Sequence, residues 1–538
     1  MGKQPYFGLR GSKLSFAIFI VASVDLIIRL FGYDQGVMGG LLTLPSFNAN
    51  FPEICTTPKC TSNMSAAEIN HRSLIEGVSV STYNLGCFAG AIAIMLLGDI
   101  LGRRKSILMG SIIMSIGAIL QASSFGLTQL IVGRVICGIG NGINTATVPV
   151  WQTECSKSHR RGQTVMAELS IVLFGVALSY WLDFGFSYLE PSSVAWRTPI
   201  AFQLIFSFFV ICTIMSVPES PRWLILRGED EAAAEIIGAI HDVPADDASI
   251  SHELQAIRAA VVTSRKGSFK DLFATGKSKN LHRTLLAVGI QILQQVTGIN
   301  LITYYAASIY EKEIGLSGFM SRILAACNGT EYFLATIPAI FLVERVGRRP
   351  LLLVGSIGMA VSMIILSVMT KLGGTAPGIV AATFLFINNT FFALGWCGLP
   401  WLIPAELVPL EIRAQANALA TSANWIFNFL VVMITPVCFS SIGWRTYLIF
   451  AAFNAASIPI VYFLYPETTG RSLEEMDLIF SKSAGLLDVV KIAKTEPRHY
   501  GKRGEALRDL AEEVYDQMHG QKDVSKSESM HKEVTEVK

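Results

Sequence analysis

A short charged loop, written twice, constrains this chain more than anything else in it. Gly98-Asp99-Ile100-Leu101-Gly102-Arg103-Arg104-Lys105 returns as Glu344-Arg345-Val346-Gly347-Arg348-Arg349, 245 positions on from Asp99 to Glu344. Two echoes keep nearly the same interval. Glu154 with Arg161 recurs as Glu406 with Arg413, and Pro218-Glu219-Ser220-Pro221-Arg222 recurs loosely as Pro466-Glu467-Thr468-Thr469-Gly470-Arg471. Both copies of the loop lie between long apolar runs. A charged loop locked to hydrophobic periodicity in both halves describes a duplicated membrane bundle, and duplicated bundles that rock about a central site are the architecture of secondary transporters.

Composition agrees. Of 538 residues, 51% are hydrophobic and only 16% charged, with mean hydropathy +0.47; globular proteins average about 25% charged. Such a chain needs a bilayer as its solvent. The net charge of +2 carries no message about nucleic acid, and none is expected as a partner. Twelve apolar stretches reach the roughly 20 residues that a spanning helix needs. They lie near 14–38, 74–97, 106–124, 128–151, 163–186, 196–217, 283–308, 320–343, 351–370, 377–404, 412–438 and 443–465. The expected fold is all-α, with two pseudo-symmetric six-helix bundles. The expected division is a terminus at 1–13, a first bundle at 14–217, a linker with short helices at 218–282, a second bundle at 283–465 and a tail at 466–538.

Lys and Arg set the orientation. Alternate loops hold Arg103, Arg104 and Lys105, then Lys157, Arg160 and Arg161, then the basic 218–282 interval, then Arg345, Arg348 and Arg349; the other loops are nearly free of positive charge. Both termini, the linker and the repeated loops are therefore expected in the cytoplasm. The linker reads as small helices near 229–239 and 250–262 that latch the two halves from below. In the tail, 505–519 reads as one amphipathic helix and the last 18 residues as disordered. Nine cysteines show no metal spacing, and neither metal nor cofactor is expected. Cys55 and Cys60 share the outside loop 45–73, where an oxidising compartment permits a local disulfide. Asn63-Met64-Ser65 in that loop is a glycosylation sequon on the correct side; those at Asn328 and Asn388 fall within spans.

Charge inside a membrane is costly, so each instance is a functional hypothesis. Asp34 lies deep in span 1 and Arg134 in span 4. A carboxylate near an arginine stays ionised and takes a proton when moved away, which is a proton-coupling device; the alternative is a static pair that fixes helix register. Asp25 and Arg29, four apart in span 1, are read as neutralising each other. Gly138, Gly140 and Gly142 suit close helix approach in span 4. Span 7 carries Gln291, Gln294, Gln295, Gly298, Asn300, Tyr304 and Tyr305, and span 11 carries Asn424, Trp425 and Asn428. Amides pair with hydroxyls and aromatics stack on C–H faces, the mixture that a polyhydroxyl substrate needs; interhelical amide contacts are the competing reading. Trp401 sits in a span 10 interrupted by Gly and Pro, as expected of a broken helix or gate.

These motifs resemble the sugar porter family of the major facilitator superfamily. The matching residues are Gly32-Tyr33-Asp34, the two acid-Gly-Arg-Arg loops, Pro218-Glu219-Ser220-Pro221-Arg222-Trp223-Leu224, Gln294-Gln295 with Gly298 and Asn300, and Pro466-Glu467-Thr468 with Gly470-Arg471. Pro149-Val150-Trp151-Gln152, Tyr180-Trp181-Leu182-Asp183-Phe184-Gly185-Phe186 and Gly470-Arg471-Ser472-Leu473-Glu474-Glu475 are most similar to fungal proton symporters of the glycerol-transporter type. The resemblance implies that Gln294, Gln295, Asn300, Asn424 and Trp401 line the substrate site and that Asp34 with Arg134 couples protons. Gln291, Tyr304, Tyr332, Asn428 and Glu168 complete the expected substrate contacts. It also implies cytoplasmic salt bridges that close the outward-open state, drawn from Asp99, Arg103, Arg104, Glu154, Arg161, Glu219, Arg222, Glu344, Arg348, Arg349, Glu406, Arg413 and Glu467. Leu169 stands where hexose carriers of the family have a glutamine, Tyr332 replaces an asparagine and Ala393 a glutamate, whereas Glu168 matches the glycerol type. The expectation is a monomeric, plasma-membrane importer of a small polyol or monosaccharide with a proton. The rivals are a uniporter, an exporter or a nutrient sensor of the same fold, the last expected to carry a longer signalling tail. No nucleophile–base pair or phosphate loop suggests an enzyme.

Overall fold

Apolar runs that must satisfy their own backbone in a bilayer become helices, and the computed structural model is built of them. It describes residues 9–29, 32–155, 161–265, 268–276, 278–471, 473–483 and 485–496; within these, a few side chains, those of 26–29 and 161–166 among them, lie outside the description. The sequence-predicted helix at 505–519 falls outside it, as do the side chains of Arg29 and Arg161. Span 1 is Gly11–Arg29 followed by Tyr33–Leu41. Spans 2 to 6 are Ala66–Leu101, Arg103–Ala122, Leu127–Glu154, Arg161–Phe186 and Val194–Thr213. Span 7 is Asn280–Val296, Ile299–Ser308 and a π turn Ile309–Glu313. Span 8 is Gly318–Arg345, span 9 Arg348–Leu372, span 10 Thr375–Gly395 with Leu399–Leu407, span 11 Arg413–Ile442 and span 12 Arg445–Leu464.

Among the described residues ten helices are long and apolar enough to cross a membrane by length and composition alone. Spans 1 and 4 complete the twelve. Between them they carry buried polar residues of the first half, Asp25, Asp34, Arg134, Asn141 and Asn144. Phe208, Leu96 and Phe341 instead stand more than 60% exposed on the outer surface, as lipid-facing residues should. The glycines of span 4 do pack helices closely. Gly138 and Gly142 face the span 2 carbonyls of Tyr83 and Cys87, while Gly140 faces span 3 at Gly110.

The two halves join along their outer portions. Asn84 of span 2 donates to Asn428 of span 11 (2.9 Å) and accepts from the Tyr304 hydroxyl of span 7 (3.0 Å). Tyr180 of span 5 donates to the Thr303 carbonyl at 2.7 Å, and Trp181 donates to Thr330 at 2.8 Å. Lys312 reaches both Thr56 and Glu76, which are themselves 2.5 Å apart. Thr56 is presented by an outer loop closed by a Cys55–Cys60 disulfide and anchored by Phe47 and Phe51 packed edge-on against Trp196. In that loop Asn63 is exposed, and Ser65 caps span 2 reciprocally with Glu68. Asn328 and Asn388 are buried within spans.

Beneath the bundle the linker divides its allegiance. Asp230–His241 packs under span 1, where Arg10 donates to the Val243 carbonyl (3.2 Å), whereas Leu272 packs against Ala287, Val408 and Ile412 of the second half. The tail helix Leu473–Lys482 docks on span 7: Arg283 pairs with Asp477 and lies 4.3 Å over the Phe480 ring.

Candidate functional site

Span 7 breaks where the sequence puts Thr297-Gly298. Gly298 has φ +90°, and a Cβ there would sit 2.8 Å from the Phe450 ring, so glycine makes the break without strain. Span 10 breaks at Trp396–Gly398. Broken helices leave carbonyls that need donors, and amides of span 7 supply them. Gln294 donates to the carbonyls of Trp396 (2.8 Å) and Cys397 (3.1 Å), and Gln291 donates to that of Pro400 (2.9 Å). Asn424 donates to both glutamines, at 2.5 and 2.9 Å. This cluster braces the two breaks and fixes the amides that face inward.

Between the halves, at this depth, lies a cavity. Gln294, Gln295, Asn300, Thr303, Tyr332, Phe392, Cys397 and Trp401 line its second-half wall. Gln35, Leu169, Val172 and Leu173 line the first-half wall. Asn300 donates to Gln295, and Gln295 lies 3.5 Å from Gln294, so the three amides form a row of donors and acceptors along one wall. The opposite wall is aliphatic apart from Gln35. An amide row facing aliphatic and aromatic surface can pair hydroxyls in plane and pack C–H faces.

Next to Gln35, one residue back along span 1, Asp34 turns into the core of the first half. It accepts from the Cys137 thiol (3.2 Å) and from the Gln203 amide (3.4 Å). Arg134 occupies the same sealed region. It donates to the Val80 carbonyl at 2.9 Å and lies 5.3 Å over the Tyr83 ring. Asp34 and Arg134 are thus brought into one chamber but not into a direct ion pair: among the described ion pairs none joins them. Asp25 accepts from Asn144 at 3.4 Å.

The repeated charges build two copies of one lock. In the first half Arg103 pairs with Asp99 (3.3 Å) and Glu154 (3.2 Å), and Ser220 donates to Glu154 at 2.6 Å. Glu219 caps span 3 by accepting from the backbone N–H groups of Arg103 and Arg104. In the second half Arg348 pairs with Glu344 and Glu406, both at 3.0 Å, and Thr468 donates to Glu406 at 2.5 Å. Glu467 caps span 9 through the N–H groups of Arg348 (3.0 Å) and Arg349 (3.1 Å). A carboxylate on a helix N-terminus is favoured by the backbone dipoles as well as by the hydrogen bonds. Each of these pairs lies within one half. Arg413 donates to the carbonyl of Val408 in its own half, and Arg222 is half-buried.

The family model described as "Sugar (and other) transporter" matches residues 19–480. The chain belongs to this family. The transporter is 40% identical to Sugar transporter STL1 of Saccharomyces cerevisiae over 491 residues, which cover 90% of this chain and 84% of that one. It is 39% identical to the MFS-type transporter oryC of Aspergillus oryzae, over 94% of this chain and 93% of the relative. Among solved structures, the proton:xylose symporter XylE bound to 6-bromo-6-deoxy-D-glucose superposes with a TM-score of 0.72 at 25% identity, covering 87% of this chain and all of that one. The fold is therefore the twelve-helix major facilitator fold. The transporter is a multi-pass membrane protein, typically of the plasma membrane in this family, and not an enzyme. High glucose sensor RGT2 of S. cerevisiae also matches, at 31% identity, but the match spans only 62% of that protein.

Of the sequence-predicted substrate contacts, Gln294, Gln295, Asn300, Tyr332 and Trp401 line the cavity. The other five do not. Gln291 and Asn424 brace the helix breaks, and Tyr304 and Asn428 serve the outer seam between the halves. Glu168 is buried beside the cavity wall, and its Oε1 has no hydrogen-bond partner. Sequence reasoning missed Gln35, Val172, Leu173, Thr303 and Phe392. Gln35 had a signal, since it adjoins the intramembrane Asp34; the apolar residues had none.

Proposed function

We propose that this transporter imports a small polyol or monosaccharide together with a proton, by alternating access. The observation that carries the reading is the step from Gln35 to Asp34. One residue of span 1 faces the cavity while the next holds a carboxyl in a sealed chamber with Arg134. A substrate that pulls on Gln35 moves the same helical turn that sets the distance between Asp34 and Arg134. Ionised beside the arginine, or protonated away from it, the carboxyl then couples occupancy of the cavity to a proton. The amide row supports a polyhydroxyl substrate, and the loss of polar groups at Leu169 and Ala393 favours one smaller than a hexose or bound with fewer contacts. Sugar transport by relatives, and the proton:xylose symport named for the matched structure, agree with this reading.

The test is uptake of radiolabelled glycerol, glucose, xylose and sugar alcohols in a carrier-null yeast, with and without protonophore. Concentrative uptake of one of them that protonophore abolishes is the expected result. Uptake that only equilibrates, with no alkalinisation of the medium on substrate addition, identifies a facilitator instead.

A further inference from the structure

Span 5 carries a second carboxyl that the reading above does not use. Asp183 is 1% exposed, and neither of its oxygens has a hydrogen-bond partner. It packs flush on the backbone of span 1: a Cβ added to Gly40 would lie 2.6 Å from the Asp183 Cβ and 2.7 Å from its Cγ. Among the described residues no ion pair reaches it. The titratable groups near it are Tyr33 of span 1 and Tyr180 of its own helix, both neutral at physiological pH. The charges of the other packed helices are directed elsewhere. Span 1 holds Asp25 against Asn144 and Asp34 against Cys137 and Gln203, span 4 turns Arg134 to Val80, span 6 turns Arg197 to the carbonyls of Ala122 and Ser124, and span 8 sets Arg322 near Glu311 and Glu190 and Glu331 on Thr390.

An ionised carboxylate buried without donor or counter-ion is among the most expensive arrangements in a protein, and such groups neutralise instead. Position supplies the second half of the argument. Tyr180, three residues before Asp183 on the same helical face, donates to Thr303 across the halves, and Gly39, beside Gly40, packs under the Tyr304 carbonyl. The carboxyl therefore lies one turn from the outer seam, which must part when the carrier opens outward.

We propose that Asp183 is a second proton-binding carboxyl of this transporter, neutral while the outer side is closed and ionised once it opens to external water. This rests on the alternating-access part of the reading above but not on symport. Its sign is fixed by linkage. The closed state holds the proton more tightly, so acid outside favours closure and alkali favours opening. The open-to-closed ratio rises up to about tenfold per pH unit between the two states' titrations.

Ser73, buried and lining the outer cavity with Glu76 and Lys312, reports the opening. In Ser73→Cys, labelling by an impermeant thiol reagent is measured from pH 5 to 8, with the parent chain subtracted. It is then divided at each pH by labelling of the same protein carrying Asp183→Asn, which cancels the thiol's own titration. Asp183→Asn mimics the protonated acid, so the expected ratio rises with pH; Asp183→Ser replaces it if surface expression fails. A flat ratio overturns the proposal, whatever the energetics of uptake. Uptake by Asp34→Asn with protonophore, run in parallel, tests symport separately.

Discussion

Asp34 and the amide row give the sharpest tests at the scale of single residues. One proton charge crossing a potential of about 100 mV releases about 2.3 kcal/mol, enough for roughly 50-fold accumulation. Asp34→Asn should abolish uphill uptake while leaving substrate exchange, and concentrative uptake by that variant would refute the assignment. Gln295→Ala and Asn300→Ala should each raise the apparent KM, since each removes a hydrogen bond worth about 0.5–1.5 kcal/mol. Gln291→Ala, at a brace rather than the cavity, should lower surface expression or melting temperature more than it alters KM. The reverse ranking would reverse the two roles. Much of this was legible in the chain, because polar groups in a membrane stand out. What polarity could not say is which amides serve a ligand and which serve the backbone. Gln291 and Gln295 look alike in sequence, and only the break in span 10 separates them. Val172 and Leu173 were illegible because an aliphatic residue in a spanning helix reads the same whether it faces lipid or a cavity, and Leu169 stood out only through the family resemblance.

At the scale of elements, the doubled lock depends on two glycines. Gly102 has φ +82° and Gly347 φ +107°, and their added Cβ atoms would lie 3.0 Å from Glu219 and 2.7 Å from Glu467. Positive φ costs a non-glycine residue about 1–2 kcal/mol, and the second site adds the tighter contact. Gly347→Ala should therefore lower the melting temperature of the purified protein more than Gly102→Ala, and equal melting of both variants and the parent would show that the loops tolerate a side chain. We propose further that the locks stabilise the outward-facing state by keeping each cytoplasmic end in shape to meet the other. Glu154→Ala or Arg348→Ala should then slow transport, leave outward-facing substrate affinity intact and raise labelling of cysteines placed in the cytoplasmic vestibule. Flat or reduced labelling alongside slowed transport would leave these residues a role in folding alone. The repeat itself was the plainest signal in the sequence. Its geometry was not: in this form, closed on the outer side, the arginines find their acids within one half, with the capping carboxylates Glu219 and Glu467 drawing each loop onto its own bundle.

The whole molecule is closed on its outer side, and the closure has almost no slack. Gly77 of span 2 lies against the backbone carbonyl of Met433 in span 11, with no room for a Cβ. Gly77→Trp should hold the outer side open. Uptake should be lost, equilibrium binding of substrate from outside retained, and labelling of Ser73→Cys raised. Normal uptake by this variant would mean that the seam need not form during the cycle. The twelve-helix count followed from hydropathy, since it is summed over many residues in each span. The breaks in spans 7 and 10 were half visible: Gly and Pro marked span 10, while the single Gly298 was hidden among residues that attracted attention for their amides.

The linker's split loyalty makes the carrier divisible. The linker helices Pro221–Arg227 and Asp230–His241 lean on the first bundle, Ala248–Arg265 packs on those two, and Leu272 leans on the second, with each bundle owning a complete lock: Glu219 arrives before the divide, and Glu467 belongs to the far side. A nick between Arg265 and Ser268 would sever one covalent link and leave both locks whole. The two pieces, made as separate chains, would each carry their own stiffness, and among the described residues what joined them again would be the seam of spans 1, 2 and 5 against spans 7, 8 and 11.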